Sequence, residues 1–415
     1  MRILFAAPYV PSPSRFRAYQ IVDNLSRLGH QITVVALGVE GTDADYSAKA
    51  LLEEICEAVH VVPMSRGGAL LQTARLLNSP VPLWVASSYS PPFLNTLRHV
   101  LACGKFDVAH LESLRMAHAA GALKHALPVV FDAVDCRTDI QARHAQNSVN
   151  ALDGAVARRE LRKMEIYEPR VAAECDRVIA ATDYAANRLD SLALPHGASL
   201  KLDVIHNGVD LSYFQPQPEI PVQLGKLVFS GQMDNEANRD AAQYFCGEIF
   251  PGIRNAYPSA TITFVGSNPA PELMDLASNP HSGVHATGRV ADARPFFAHA
   301  ALAVCPLRAP GPSRSRVLQL MAMGKALVAT PAACRALSPA AVGESICLAD
   351  TPLAFATQII HLLKHPEEAD RLGRNARRYV EEHHDWRKIA LKLTDIYDEA
   401  IEERKRGGKV RVSLD

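Results

Sequence analysis

Arg314, Arg316 and Gln319 stand close together in the stretch PGPSRSRVLQLMAMGK, residues 310–325. Pro310, Gly311 and Pro312 break the apolar run before them, and a proline is tolerated at the opening of a helix, where a missing N–H costs little. The spacing predicts a helix over residues 313–323, capped by Gly324. Its first turn presents free backbone N–H groups and the positive end of the helix dipole, a setting suited to a phosphate. Two arginines at that end are misplaced for helix stability, which favours cations at the other end. Arg316 and Gln319 are three residues apart and share a face, so one could hold a diphosphate while the other bonds a neighbouring hydroxyl pair. The competing reading is that both arginines are solvated surface charges.

The elements around this helix follow a regular alternation. Residues 301–307 form an apolar run of the kind buried on both faces of a parallel sheet. At the other end of the chain, residues 2–7 predict a strand, 15–28 a helix ended by Gly29, and 31–37 a second strand. This βαβ opening marks a doubly wound sheet, and it lacks the G-x-G-x-x-G pattern of a dinucleotide site. Arg15 and Arg17 lie in the loop and first turn after the first strand. They face a ligand crevice or sit on the surface. Further strands are expected at 59–62, 107–111, 129–134, 177–181, 202–208, 226–231, 261–266, near 285 and at 345–349. Helices are expected at 48–58, 70–77, 92–102, 155–175, 238–256, 271–277, 292–300, 351–363, 367–382 and 386–404, with a frayed basic tail beyond. The polar, proline-rich segment 215–221 reads as a linker. The expected architecture is α/β, with two doubly wound Rossmann-like domains at 1–207 and 208–385, facing across a cleft, and a terminal segment 386–415 crossing back to the first.

Composition narrows the function classes. With 415 residues and 48% hydrophobic residues the chain can build two packed cores. Lys and Arg balance Asp and Glu at 44 each, so no global field favours nucleic acid. The eight cysteines form no C-x-x-C pair and the histidines no H-E-x-x-H, so no metal site is expected. Scattered thiols suit a reducing cytoplasm. The opening MRILFAAPYVPSPSR is interrupted by proline too early for a leader, and no run approaches the roughly 20 apolar residues of a membrane span. The segment 70–105 mixes apolar residues with arginines, which suits a packed helix with a charged outer face or a surface resting on a membrane.

Several ordered motifs resemble the family 4 glycosyltransferases of the GT-B superfamily, with bacterial exopolysaccharide sugar transferases closest in character. They are VIHNGVD at 204–210, VFSGQMDNEANRDAAQYF at 228–245, FVGS at 264–267, TGRV at 287–290 and the element 307–330, with the terminal helix from Trp386. The resemblance spans the chain and is strongest after residue 200. It implies a retaining, metal-independent cytoplasmic enzyme with no cofactor, which moves a sugar from a UDP- or GDP-sugar to a saccharide or polyprenyl-linked acceptor at the inner membrane face. Residue by residue it implies that Gly231, Gly311, Ser313, Arg314 and Arg316 hold the diphosphate, Gln319 the ribose, and Gly288, Arg289 and Val290 the base. Arg316 and Asp135 take the catalytic roles, and Arg15 and Arg17 stand on the acceptor side. Gly311 and Gln319 occupy the positions where the family carries two glutamates, Arg316 that of its lysine, and Val134 that of an N-domain histidine. A degenerate relative that binds nucleotide or partner proteins without turnover is the alternative, and a nucleotide-sugar 2-epimerase a third.

Overall fold

The computed structural model describes residues 1–411 apart from 14, 40–42, 149, 309–313, 335–336 and 338–342. The chain divides into two compact units, Met1–His206 with Trp386–Asp415, and Asn207–Asp385.

The first unit is built on seven parallel strands: β1 (Arg2–Ala7), β2 (Gln31–Val39), β3 (Ala58–Met64), β4 (Val108–Glu112), β5 (Val129–Val134), β6 (Arg177–Ala180) and β7 (Leu202–Val204). Their order is β3-β2-β1-β4-β5-β6-β7. Continuous apolar runs such as RILFAA form these strands because both sheet faces are covered; only the first residue of β1 is exposed. One face packs on the helix Phe16–Arg27 and on the terminal helix Trp386–Arg411. Trp386, Ile389, Leu393, Ile396, Tyr397 and Ala400 recur at helical spacing and are all buried against Ile21, Val22 and Leu25. Each such large side chain contributes roughly 1.5–3 kcal/mol by leaving water. The last helix was expected to fray after residue 404 and instead continues to Arg411.

The second unit has six parallel strands: β8 (Gln223–Ser230), β9 (Thr261–Val265), β10 (Val284–Ala286), β11 (Ala300–Cys305), β12 (Leu327–Ala329) and β13 (Cys347–Leu348). Their order is β10-β9-β8-β11-β12-β13. In both sheets the connection reverses direction once, between β1 and β4 and between β8 and β11. Ligands of open parallel sheets gather outside the carboxyl ends of the strands at such a reversal. The single helix expected over 238–256 is interrupted. Glu236–Tyr244 passes into a wide π turn at Phe245–Ile249 and resumes as Phe250–Ala256. Pro251, which has no N–H to continue the ladder and crowds the preceding turn, accounts for the break.

Candidate active site

In the second unit the reversal point is framed by the loop after β8 and the helix Arg314–Ala322 that follows β11. Gly231 directly follows β8, and its N–H donates to the Val265 carbonyl at 3.1 Å. A side chain at Gly266 would place its Cβ 1.6 Å from the Gly231 carbonyl oxygen, so the two loops can meet only with glycine there. The helix ends at Gly324, whose φ of +69° is the left-handed value a C-terminal cap requires. Arg316 and Gln319 do share a face: Arg316 Nη1 donates to Gln319 Oε1 at 2.8 Å. Gln319 is buried and Arg316 half-buried. Burial pushes the Arg316 guanidinium below its ordinary pKa, and among the described residues no carboxylate pairs with it. Gly311 and Ser313 lie outside the described residues; Arg314 opens the helix, but its side chain is not among those described. Gly288 follows β10 with φ +65°, Arg289 is exposed, and Val290 packs against the core.

In the first unit the reversal point carries a buried polar cluster. Arg17, in the first turn of Phe16–Arg27, forms an ion pair with Asp132 of β5 at 2.9 Å, with side chains 9% and 1% exposed. Arg17 is therefore a buried partner of a buried carboxylate at the reversal point, and does not lie on the open surface. His110 and Glu112 of β4 lie alongside, with His110 Nε2 3.9 Å from both Glu112 Oε2 and Asp132 Oδ2. Tyr397 contacts His110 Nδ1 through its hydroxyl at 2.8 Å, and the Tyr9 hydroxyl donates to Glu112 Oε1 at 2.9 Å. Burial raises the pKa of Asp132; Arg17 opposes that and Glu112 adds to it. Burial also holds the Tyr9 and Tyr397 phenols well above their ordinary range. Among the described residues, His110, Glu112 and Asp132 form a set whose ligand atoms lie within 4.8 Å of one another and could hold a cation. Arg17 already supplies positive charge to it.

Asp132 Oδ1 also accepts the Val134 N–H at 3.0 Å. Val134 has φ +64°, and the Asp135 N–H closes a three-residue turn on the Ala133 carbonyl at 2.8 Å. A β-branched residue in this conformation is strained, and such outliers gather at functional sites. Asp135, expected at the catalytic position, is half-buried just past this turn; the carboxylate drawn into the cluster is that of Asp132. Arg15 pairs with Asp45 at 3.0 Å and stacks over the Tyr9 ring, 5.1 Å from its centre.

Comparison with known proteins accords with this arrangement. The sequence profile described as Glycosyltransferase Family 4 matches residues 16–213, and that described as Glycosyl transferases group 1 matches residues 225–365. The chain belongs to the family 4-like glycosyltransferases. Glycogen synthase of Mycobacterium tuberculosis is 22% identical over 96% of this chain and 94% of its own length. Among solved structures, sucrose-phosphate synthase of Thermosynechococcus elongatus superposes with TM-score 0.67 at 14% identity, covering 97% of this chain and all of the other. HepE of Anabaena in complex with UDP gives 0.63 at 15%, covering 96% and 100%. These likenesses show the α/β two-domain GT-B fold.

For this glycosyltransferase, Tyr9, His110, Glu112 and Tyr397 are the residues that sequence reasoning missed. One signal was available. Two polar residues, His110 and Glu112, sit inside the otherwise apolar strand VAHLE, and a buried polar residue at a strand end is seldom incidental. Among the described residues no helix is long and apolar enough to cross a membrane.

Proposed function

We propose that the enzyme transfers a sugar from a UDP- or GDP-sugar, with retention of anomeric configuration and without a metal, to a saccharide or lipid-linked saccharide acceptor in cell-surface glycan synthesis. The observation that carries this reading is Arg316: a half-buried, permanently charged fork beside the sheet's reversal point, with only the Gln319 amide as partner among the described residues. A guanidinium held this way lacks the counter-charge that a diphosphate would bring. HepE, which shares the fold, has been seen with UDP and with UDP-glucose, which supports a uridine donor. In the reaction an acceptor hydroxyl oxygen bonds to the anomeric carbon as the bond from that carbon to the diphosphate oxygen breaks. The hydroxyl proton passes to the departing diphosphate, whose growing negative charge Arg316 stabilises in place. Exposed apolar residues at Leu70, Leu71, Leu77, Leu152 and Val156 would suit peripheral contact with a membrane carrying a lipid-linked acceptor.

A second reading is favoured by Gln319, an amide where the family carries a carboxylate: the chain would bind nucleotide without turnover. Calorimetry with UDP, GDP, ADP and CMP tests the donor site. One nucleoside diphosphate should bind, and Arg316→Ala should weaken it roughly ten- to a hundredfold. Unchanged affinity in the variant would remove the site from this helix. Release of nucleotide that depends on an acceptor, and persists in a chelator, separates turnover from binding alone.

A further inference from the structure

A second group of cations lies in the first unit, in the connections that follow the carboxyl ends of its strands. Arg115 comes three residues after β4, and Arg137 three residues after β5. Their guanidiniums both stand over the indole of Trp84, 5.8 and 4.0 Å from a ring centre. Arg115 Nε donates to Ser88 Oγ and forms no ion pair among the described residues. The Arg137 guanidinium donates to no acceptor among them, and its Nε is buried without a partner. Burial lowers the pKa of both, and at Arg115 the charges of Arg15 and Arg137 add to the effect.

Among the described residues no carboxylate forms a salt bridge to either arginine, although the charge of Glu168 partly offsets that of Arg137. Glu168 is fully buried and spent on the backbone N–H groups of Arg137 and Thr138, at 2.8 and 2.7 Å, and on the Thr138 hydroxyl at 2.6 Å. Asp135 adds a favourable charge at Arg137 without forming a salt bridge to it among the described residues. Glu112 is bonded to Tyr9, and Asp45 is paired with Arg15. The scaffold is built for rigidity: the helix Ala151–Ala173 carries Glu168 to the start of the helix Arg137–Asn147, and Glu160, whose carboxylate accepts the Leu83 N–H at 2.6 Å, to the short helix bearing Trp84. Two desolvated like charges gathered at one indole, each acting on the other's charge, are costly unless an anion joins them.

The geometry points to an anion subsite at Arg115 and Arg137 that takes a phosphate group borne by the acceptor saccharide. Its assignment to the acceptor rests on the transferase reading above; its preference for an anion rests on the arginines. The phosphate could belong to a soluble sugar phosphate or to a lipid-linked carrier, and the chemistry recognised is the same.

The test uses the full chain and calorimetry with three probes: glucose 6-phosphate, glucose, and undecaprenyl phosphate in neutral detergent micelles. At least one phosphate-bearing probe should bind roughly ten- to a hundredfold more tightly than glucose, and the advantage should shrink as salt rises. Preference for the first probe assigns a soluble acceptor, preference for the micellar one a lipid carrier. Arg115→Gln with Arg137→Gln should abolish the advantage. Arg115→Lys with Arg137→Lys, which keeps the charge, should restore part of it, a rescue that a packing defect would not show. Equal binding of glucose and both phosphate probes, or a phosphate advantage that survives the Gln pair, overturns the proposal. UDP binding is measured on the same samples: its absence overturns the donor reading at Arg316 and leaves the phosphate comparison intact.

Discussion

At the carboxyl end of β5, Asp132 meets Arg17, with His110, Glu112 and two tyrosine hydroxyls closing around the pair. Beside the end of β11, Arg316 has one amide oxygen for company among the described residues. The two sheets share the strand order that creates a ligand crevice, yet they furnish it in opposite ways. A cation that already has its carboxylate is part of the fold. A cation with none among the described residues is the better candidate for meeting an anion from outside, as proposed above. Both arginines lie in the first turn of a helix that follows a strand, so position in the motif does not separate them; the partner does.

Substitution of the two arginines by methionine tests that distinction most strongly. Arg17→Met leaves the buried Asp132 without its partner and should cost about 3–5 kcal/mol of unfolding free energy in urea titration. Arg316→Met should change stability by no more than about 1 kcal/mol while removing most nucleotide affinity. Equal destabilisation would erase the difference. The pH dependence sharpens it. Burial raises the folded pKa of Asp132 above its ordinary 3.8, and loss of Arg17 removes the charge that opposes the rise. A carboxyl raised in the fold contributes stability below the unfolded pKa and loses it as pH rises through the folded value. The Arg17→Met protein should therefore weaken progressively as pH increases from about 4, more steeply than the wild type.

His118 offers the next largest effect, again confined to the first unit. Burial pushes its pKa down to about 4, and the hydrogen bond to the Arg115 carbonyl at 2.9 Å opposes this only in part. A base depressed in the fold gives stability that is present above its unfolded pKa near 6.5 and is lost as pH falls through the folded value. The wild type should lose roughly 3 kcal/mol between pH 6.5 and 4 from this group. His118→Gln should flatten that limb of the stability profile. An unchanged slope would show that His118 takes up its proton in the folded protein as readily as in the unfolded chain.

Much of the fold was legible because parallel strands buried on both faces leave nearly unbroken apolar runs, as in RILFAA and AALAVC. The Arg316–Gln319 pair was legible because three-residue spacing on a helix is local geometry. The helix Arg137–Asn147 escaped notice: its sequence RTDIQARHAQN has almost no apolar face, and its start is held by Glu168, which sits on another helix. The Tyr9–His110–Glu112–Asp132–Tyr397 cluster escaped for the same reason on a larger scale. Its members come from separate segments, and Tyr397 reaches His110 across 287 positions. Contacts of that range follow from how the chain closes on itself, which no local pattern encodes.

Backbone strain gives the smallest and most discriminating contrast. Val134 sits at φ +64° at the end of β5, held there by Asp132 and by the Ala181 N–H, which donates to the Val134 carbonyl at 2.7 Å. Ala329 ends β12 in ordinary extended pairing with Leu348. In an extended strand glycine is less stable than alanine by about 0.5–1 kcal/mol, because the unfolded chain gains freedom. In the left-handed region the order inverts, because alanine keeps the Cβ that clashes and glycine removes it. Val134→Gly should therefore exceed Val134→Ala in stability by about 1 kcal/mol, while Ala329→Gly should lose a similar amount. If alanine proves the more stable at both sites, the turn after β5 stores no strain. If the order inverts only at Val134 and turnover falls in the glycine variant, that strain holds the sheet end in its working shape.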